Sequence, residues 1–302
     1  MTKFICFIYF IVFSLYASAQ SEGIITNGDA KIYYRVFGSG KPILIINGGP
    51  GMNSNGFAEV AQKLSANNQT IIYDQRGTGR STLEKTDSST VTIELMIEDI
   101  EALRKHLNIK SWIVLGHSFG GMLASYYATQ YPNIIDGLIL SSSGGIDLEL
   151  LSYVQECINS RLTTAEYKEV NYWTTKINDG DTSHATRLKR GMALAPAYLY
   201  NKKPVPLIAE RLTQGNPKVN ELLWSNMQKI NFDCSPELKS FLKPVLIIQG
   251  RQDIIMEKTA LKAHEILKHS KVVIIEACSH YGWLDAPADY FKEITNFLSG
   301  IK

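Results

Sequence analysis

Short apolar segments recur along this chain, separated by segments of helical character. Six of them are rich in apolar, mostly β-branched residues, which is typical of strands covered on both faces; they span residues 42–46, 69–73, 112–115, 137–140, 245–249 and 271–275. A seventh, at 32–37, alternates like a half-buried strand. Buried strands of this kind predict a mostly parallel central sheet, because parallel sheets are covered on both faces.

Amphipathic helices are predicted between several of these strands. Residues 93–107 place their apolar side chains on one stripe, and Thr92 precedes them as a suitable N-cap. Residues 123–130, 261–268 and 290–298 have a similar pattern. Strands alternating with helices predict an α/β fold with helices on both faces of the sheet.

The alternation is interrupted between residues 145 and 233. This stretch is rich in Tyr, Trp, Lys, Asn and Pro and carries helical patterns without a strand. We therefore predict a core formed by residues 20–144 and 234–302, with residues 145–233 inserted as a helical cap. Such a cap would cover the carboxyl ends of the strands, where open α/β sheets bind ligands.

Residues 1–19 have the pattern of a secretory signal peptide. Lys3 is followed by an apolar run at 4–16 and by Ala17-Ser18-Ala19, an A-x-A cleavage site. We expect cleavage after Ala19 and a periplasmic or secreted protein without stable membrane association. An uncleaved anchor or a buried first helix is the alternative.

Charge and cysteine content narrow the classes of partner. A net charge of +2 favours neither nucleic acid nor an acidic membrane surface as a binding partner.

Three cysteines, Cys157, Cys234 and Cys278, remain after cleavage of the signal peptide, and an odd number cannot pair completely. Cys157 and Cys234 could bridge, but three separate buried thiols are favoured. No cysteine or histidine cluster has zinc spacing, so neither a metal nor a cofactor is expected.

Ser118 is the predicted nucleophile. It lies in Gly-His-Ser-Phe-Gly-Gly at 116–121, directly between a predicted strand and a predicted helix. A G-x-S-x-G motif in this setting forms a sharp turn that lifts the serine hydroxyl above the sheet. The flanking glycines are needed because side chains there would collide with the strand and the helix. Dehalogenases and epoxide hydrolases that share an α/β fold of this kind use a carboxylate as nucleophile. A serine at position 118 therefore argues against both activities.

A serine hydroxyl needs a base, and a base needs an orienting group. His280 follows the last predicted strand and is therefore expected at the same end of the sheet as Ser118. His117 is expected to point away from the serine side chain, and the other four histidines fall in helical patterns. Asp253 follows the preceding strand and would hold the imidazole of His280. The chain order Ser, Asp, His is that of the α/β-hydrolases.

The reaction also needs N–H donors for a developing oxyanion. The backbone N–H of Phe119, the residue after the nucleophile, is one candidate. Gly49 is the other, in the Asn-Gly-Gly-Pro-Gly loop at 47–51 that follows a predicted strand. A purely structural glycine turn is the alternative for this loop.

These motifs together resemble the proline iminopeptidases, a family of α/β-hydrolases. The resemblance rests on the loop at 47–51, Asp-Gln-Arg-Gly-Thr-Gly-Arg-Ser at 74–81, the Ser118 motif, Gly-Arg-Gln-Asp at 250–253 and the Ser279-His280 loop. It implies cofactor-free release of an N-terminal residue, often proline, from small peptides. It also supports Gly49 and Phe119 as donors and gives segment 74–81 a structural role in the pocket wall.

The chain departs from the family pattern at two places. Asn47 stands where the family loop begins with His, and Asn47 can still hold the turn by hydrogen bonds. The family binds the substrate amine with cap carboxylates, but Trp173 is followed here by Thr174-Thr175, without the acid of related caps. Six glutamates lie in the insertion: Glu149, Glu156, Glu166, Glu169, Glu210 and Glu221.

The sequence thus predicts an exported, proline iminopeptidase-like serine hydrolase that acts through an acyl-enzyme. A carboxylesterase or lactonase with the same triad is the alternative, because both reactions pass through the same intermediate. A ligand receptor on this fold is a third, non-enzymatic reading.

Overall fold

The computed structural model describes residues 20–301, so the predicted signal peptide at 1–19 lies outside the described residues. Nine strands form one sheet: β1 (Gln20–Asn27), β2 (Ala30–Phe37), β3 (Lys41–Ile46), β4 (Asn68–Tyr73), β5 (Thr82–Leu83), β6 (Trp112–His117), β7 (Ile135–Ser141), β8 (Val245–Gly250) and β9 (Ser270–Ile275). Twelve α-helices accompany them in this part of the chain: α1 (Ala58–Leu64), α2 (Ile93–His106), α3 (Phe119–Gln130), α4 (Val154–Ser160), α5 (Thr164–Asn178), α6 (His184–Leu194), α7 (Val205–Leu212), α8 (Pro217–Lys229), α9 (Ser235–Leu238), α10 (Glu257–Ile266), α11 (Gly282–Asp285) and α12 (Pro287–Gly300). None of the helices described in residues 20–301 has the length and apolarity needed to cross a membrane.

The sheet is mostly parallel, as predicted. Its order is β1-β2-β4-β3-β6-β7-β8-β9, and β5 pairs with β2. The strands from β4 through β3 to β9 pair in parallel, whereas β2 pairs antiparallel with β1, β4 and β5. The carboxyl ends of β3, β6, β8 and β9 therefore meet at one edge, and each is followed by a predicted site residue.

Alternate side chains of the central strands enter two cores on opposite faces. In β3, Leu44 and Ile46 pack with residues of α2 and α3, whereas Ile43 and Ile45 pack with residues of α1 and α12. Such double coverage explains why these strands appear as continuous apolar runs. All seven predicted strands and all four predicted helices form, and Thr92 caps α2 by accepting the Leu95 N–H.

Outside the cap, five strands and α-helices were not predicted: β1, β5, α1, α9 and α11. β1 carries few apolar side chains and forms a hairpin with β2 through Gly28-Asp29, where Gly28 has a φ of 59°. Gly-Asp is a common two-residue hairpin loop, so this strand was detectable from the sequence. β5 has only two residues, and α1 has seven.

Helices α4 to α8 lie between β7 and β8, in the stretch predicted as a cap. α5 packs on α6, and α6 packs on α7. The two ends of the stretch are joined by a bridge between Asp147 and Asp233. α8 differs from the rest because its apolar residues Val219 and Leu223 join the core cluster of α2.

The three cysteines of residues 20–301 are free thiols, so Cys157 and Cys234 form no bridge. Cys234 and Cys278 are buried, as expected, but Cys157 is only partly buried. Burial raises the pKa of the Cys278 thiol to about 12. A thiol with such a pKa is a poor nucleophile at neutral pH.

Candidate active site

Ser118 lies in a sharp turn between β6 and α3. Its φ of 55° and ψ of −124° form a combination that residues other than glycine rarely adopt. Three backbone hydrogen bonds fix this conformation. The Ser118 N–H donates to the carbonyl of Ser141, and the Ser118 carbonyl accepts from the N–H groups of Gly121 and Gly144. The predicted strand, turn and helix around Ser118 are therefore confirmed.

The glycines of the motif leave no room for side chains. A Cβ atom on Gly116 would lie 2.2 Å from the carbonyl oxygen of Gly120, and a Cβ atom on Gly120 would lie 2.2 Å from that of Ile46. These contacts are with backbone atoms, which cannot rotate away as a flexible side chain can. The close approach of β3, β6 and α3 thus requires both glycines, for the reason expected from the sequence.

His280 and Asp253 form a buried hydrogen bond at the same edge of the sheet. Nδ1 of His280 lies 2.8 Å from Oδ1 of Asp253, whose side chain is fully buried. The carboxylate also accepts the N–H of Ile255 at 3.0 Å and Nε2 of Gln249 at 2.9 Å. These bonds fix the carboxylate, which in turn orients the imidazole. Gln249 is a supporting residue that the sequence analysis missed.

The Ser118 hydroxyl makes no hydrogen bond within residues 20–301, and the serine is partly exposed. His117, the residue before Ser118, links the Ser118 turn to the His280 loop. Its Nε2–H donates to the carbonyl of His280 at 2.8 Å. In free enzymes the bond between nucleophile and base often tightens only when substrate binds. The Ser118 hydroxyl is therefore free to contact a substrate.

His117 is buried behind His280 in a group of aromatic side chains. Its ring packs against Phe57, Tyr281 and Trp283. Burial holds the pKa of His117 well below its usual value, and the neighbouring His280 acts in the same direction. A neutral His117 supports the loop of His280, consistent with the prediction that it is not the base.

The loop after β3 lies directly against Ser118. A Cβ atom on Gly48 would lie 2.8 Å from Cβ of Ser118, so the loop can approach this closely only with glycine. Asn47 holds the turn by donating from Nδ2 to the carbonyls of Gly48 and Met52, at 2.9 and 2.8 Å. The role predicted for Asn47 is therefore confirmed.

The two predicted oxyanion donors belong to the segments that meet at Ser118. Phe119 is the first residue of α3, where backbone N–H groups have no acceptor inside the helix. Gly49 follows Gly48 in the loop and lines a cavity beside it.

Segment 74–81 braces the loop instead of lining the cavity. Gln75 donates from Nε2 to the carbonyl of Asn47 at 2.9 Å. Asp74 accepts the backbone N–H groups of Ser54 and Arg80, both at 2.8 Å. These side chains do not line the cavity themselves but support the loop that forms part of its wall, in line with the structural role that the family resemblance implies.

Arg211 is a buried cation beside the same loop, and the sequence analysis missed it. Its side chain donates to the carbonyls of Gly48 and Asn53, at 3.4 and 3.5 Å, and lies over the ring of Phe57. Arg211 is 4% exposed and pairs with no carboxylate among residues 20–301. It stands in α7 without a motif around it, so only the packing of the cap on the core reveals it.

A cavity of about 460 Å³ extends from the loop to the underside of the cap. Gly49, Pro50 and Met52 line it from the loop, and Arg187 and Arg190 of α6 line it from the cap. The side chains of Ser118, Asp253 and His280 do not line it. Tyr198 connects it to the base, since the His280 N–H donates to the Tyr198 carbonyl. The residues lining this cavity include no Asp or Glu.

The six cap glutamates do not line this cavity or the adjoining one. Glu156 is exposed. The other five bond to neighbouring side chains: Glu149 to Lys262, Glu166 to Thr163, Glu169 to Trp173, Glu210 to His184 and Glu221 to Lys218. The cap carboxylates implied by the family resemblance are therefore absent from the walls of both cavities.

Comparison with known proteins agrees with this architecture. Residues 41–287 match the alpha/beta hydrolase fold family. The chain belongs to this family. The hydrolase is 29% identical to a proline iminopeptidase of Saccharolobus solfataricus, over 97% of each chain. It is 23% identical to a proline iminopeptidase of Heyndrickxia coagulans, over 93% of this chain and 99% of the relative.

Solved structures share the same fold. A proline iminopeptidase of Mycobacterium smegmatis matches with a TM-score of 0.68 and 22% identity, over 92% of this chain and 98% of its own. An esterase of Exiguobacterium antarcticum matches with a TM-score of 0.72 and 20% identity, over 92% of this chain and 99% of the esterase. The predicted fold and the resemblance to proline iminopeptidases are thus confirmed. The hydrolase is an enzyme of the serine hydrolase type.

Proposed function

We propose that this hydrolase cleaves acyl bonds through a Ser118 acyl-enzyme, with His280 as base and Asp253 as its orienting group. The observation that carries the proposal is the buried 2.8 Å hydrogen bond between His280 and Asp253, at the sheet edge where the strained Ser118 turn also lies. Asp253 would keep the proton of His280 on Nδ1, which leaves Nε2 unprotonated to accept the Ser118 proton.

The reaction would proceed in two halves. Ser118 Oγ attacks the substrate carbonyl while Nε2 of His280 takes its proton, and the carbonyl oxygen becomes an oxyanion held by the N–H groups of Gly49 and Phe119. The leaving amine or alcohol takes the proton from His280 as the acyl bond breaks. Water then attacks the acyl-enzyme by the same route and regenerates Ser118.

We propose small peptides as substrates, with release of the N-terminal residue. The support is the similarity to proline iminopeptidases along nearly the whole chain. A small acyl ester or lactone is the second candidate. It is favoured by the lack of carboxylates along the cavity walls and by the fold shared with an esterase.

Parallel assays of an amide and an ester would separate the two candidates. The purified mature protein is given proline p-nitroanilide and p-nitrophenyl acetate, with Ser118→Ala as control. An aminopeptidase releases nitroaniline, and Ser118→Ala does not. Ester turnover without amide turnover would contradict the peptidase proposal and leave the triad in place.

We also propose that residues 1–19 direct export. The basic Lys3, the apolar run and the A-x-A site support this proposal. Cell fractionation and intact mass of the full-length product would test it. We expect the protein outside the cytoplasm, beginning at Gln20. A cytoplasmic protein that retains Lys3 and the apolar run would contradict it.

A further inference from the structure

We propose that Arg187 and Arg190 form a subsite that binds a carboxylate of the substrate, so that the enzyme prefers acyl substrates bearing a negative charge near the scissile bond. The inference rests on the proposed function and adds the chemical class of the substrate. For a peptide, the charge would be the C-terminal carboxylate of a dipeptide or tripeptide. For an ester, it would be a carboxylate on the acyl chain.

The two arginines lie on one face of the same helix. They are three residues apart in α6, a spacing that brings side chains together on the helix surface. Both line the same cavity as Gly49. A substrate that places its carbonyl at Gly49 can therefore extend toward both guanidinium groups.

Neither arginine has a counterion in the structure. Arg190 donates from Nε to the hydroxyl of Thr174 at 2.8 Å, and Arg187 donates to the carbonyl of Thr213 at 3.4 Å. Both partners are neutral, and no ion pair of either arginine occurs among the described residues. Thr174 follows Trp173, where the family resemblance implies an acid.

The charge of this cavity selects against a free amine in the same place. Its walls carry two guanidinium groups and no carboxylate, so a substrate ammonium group there would be repelled. Burial lowers the pKa of Arg190. A carboxylate would supply a counterion, because guanidinium groups bind carboxylates through two parallel hydrogen bonds.

A matched pair of peptides tests this inference. The wild-type enzyme is given prolyl-alanine and prolyl-alanine amide, which share the scissile bond and differ in the terminal charge. Arg187→Gln and Arg190→Gln are compared with Lys189→Gln, which removes an exposed positive charge from the same helix. Labelling of Ser118 by a fluorophosphonate probe reports whether each variant retains a working site.

We expect the wild-type enzyme to prefer the free acid. Each arginine variant should lower kcat/KM for the acid by about 10- to 100-fold, the range for a hydrogen bond to a charged group. The amide should be cleaved as by wild type, and Lys189→Gln should behave as wild type with both peptides. If a variant fails to label, the inference is judged from the preference of the wild-type enzyme between the two peptides.

Three results would overturn the inference. The wild-type enzyme cleaves the amide as fast as the acid, the arginine variants lose both activities equally, or Lys189→Gln has the same effect as the arginine variants. If the labelled wild-type enzyme cleaves neither peptide, the peptidase proposal fails separately. Mono-p-nitrophenyl succinate and p-nitrophenyl butyrate then replace the peptides, and equal turnover of these two esters would refute the carboxylate subsite.

Discussion

Replacing Ser118 by glycine should stabilise the protein relative to replacing it by alanine. The φ of 55° and ψ of −124° are close to the mirror image of an extended conformation, which glycine adopts freely and other residues do not. Such a conformation costs a residue with a Cβ about 1–3 kcal/mol. Against this, a glycine variant is less stable than an alanine variant by about 0.4–1 kcal/mol, because its unfolded chain has greater conformational freedom. We therefore expect the glycine variant to be more stable by about 1 kcal/mol.

Urea denaturation of Ser118→Gly and Ser118→Ala measures this difference, and neither variant has a nucleophile to complicate the comparison. Ser125 supplies the control, because it is buried inside α3 and its hydroxyl has no hydrogen-bond partner among the described residues. At Ser125 the order of stability should reverse: the alanine variant should be the more stable one, since glycine in a helix interior is less stable than alanine by about 0.5–1 kcal/mol. An alanine variant at Ser118 as stable as the glycine variant would refute the strained turn.

Three further predictions concern the site and its scaffold. Asp253→Asn should lower kcat for p-nitrophenyl acetate by about 10⁴, because the tautomer of the imidazole is lost; a loss below about tenfold would count against the triad. Arg211→Met should lower kcat for the same ester by about tenfold, less than the loss of an oxyanion donor, because the carbonyl of Gly48 loses its bond; unchanged kcat would contradict a positioning role. Gly120→Ala should destabilise the protein by about 3 kcal/mol or more in urea, whereas Gly215→Ala, with open space around it, should have no effect; equal stability of these two variants would refute the close packing at the turn.

The positions of Ser118, Asp253 and His280 were predictable because each follows a strand of the parallel sheet. The strands are apolar runs that local sequence reveals, and parallel strands bring their carboxyl ends to one edge. The glycines of the motif were likewise informative, since their requirement is a backbone contact between adjacent elements.

The residues contributed by the cap were not predictable in the same way. Arg187, Arg190 and Arg211 lie in amphipathic helices, where most charged residues are exposed to solvent. Their significance comes from which helix faces the cavity, and that is decided by packing between distant segments. The sequence did not single out any of the six cap glutamates, and in the structure Glu149, Glu210 and Glu221 bond to neighbouring side chains at the surface.

Mapping a fluorophosphonate adduct by mass spectrometry tests the assignment of Ser118 most directly. The probe forms a covalent bond with an activated serine, so the wild-type protein should carry one adduct, located on the peptide containing Ser118. Ser118→Ala should carry none, and His280→Ala should label far more slowly because no base removes the proton. An adduct on another serine, or equal labelling of wild type and Ser118→Ala, would contradict the assignment.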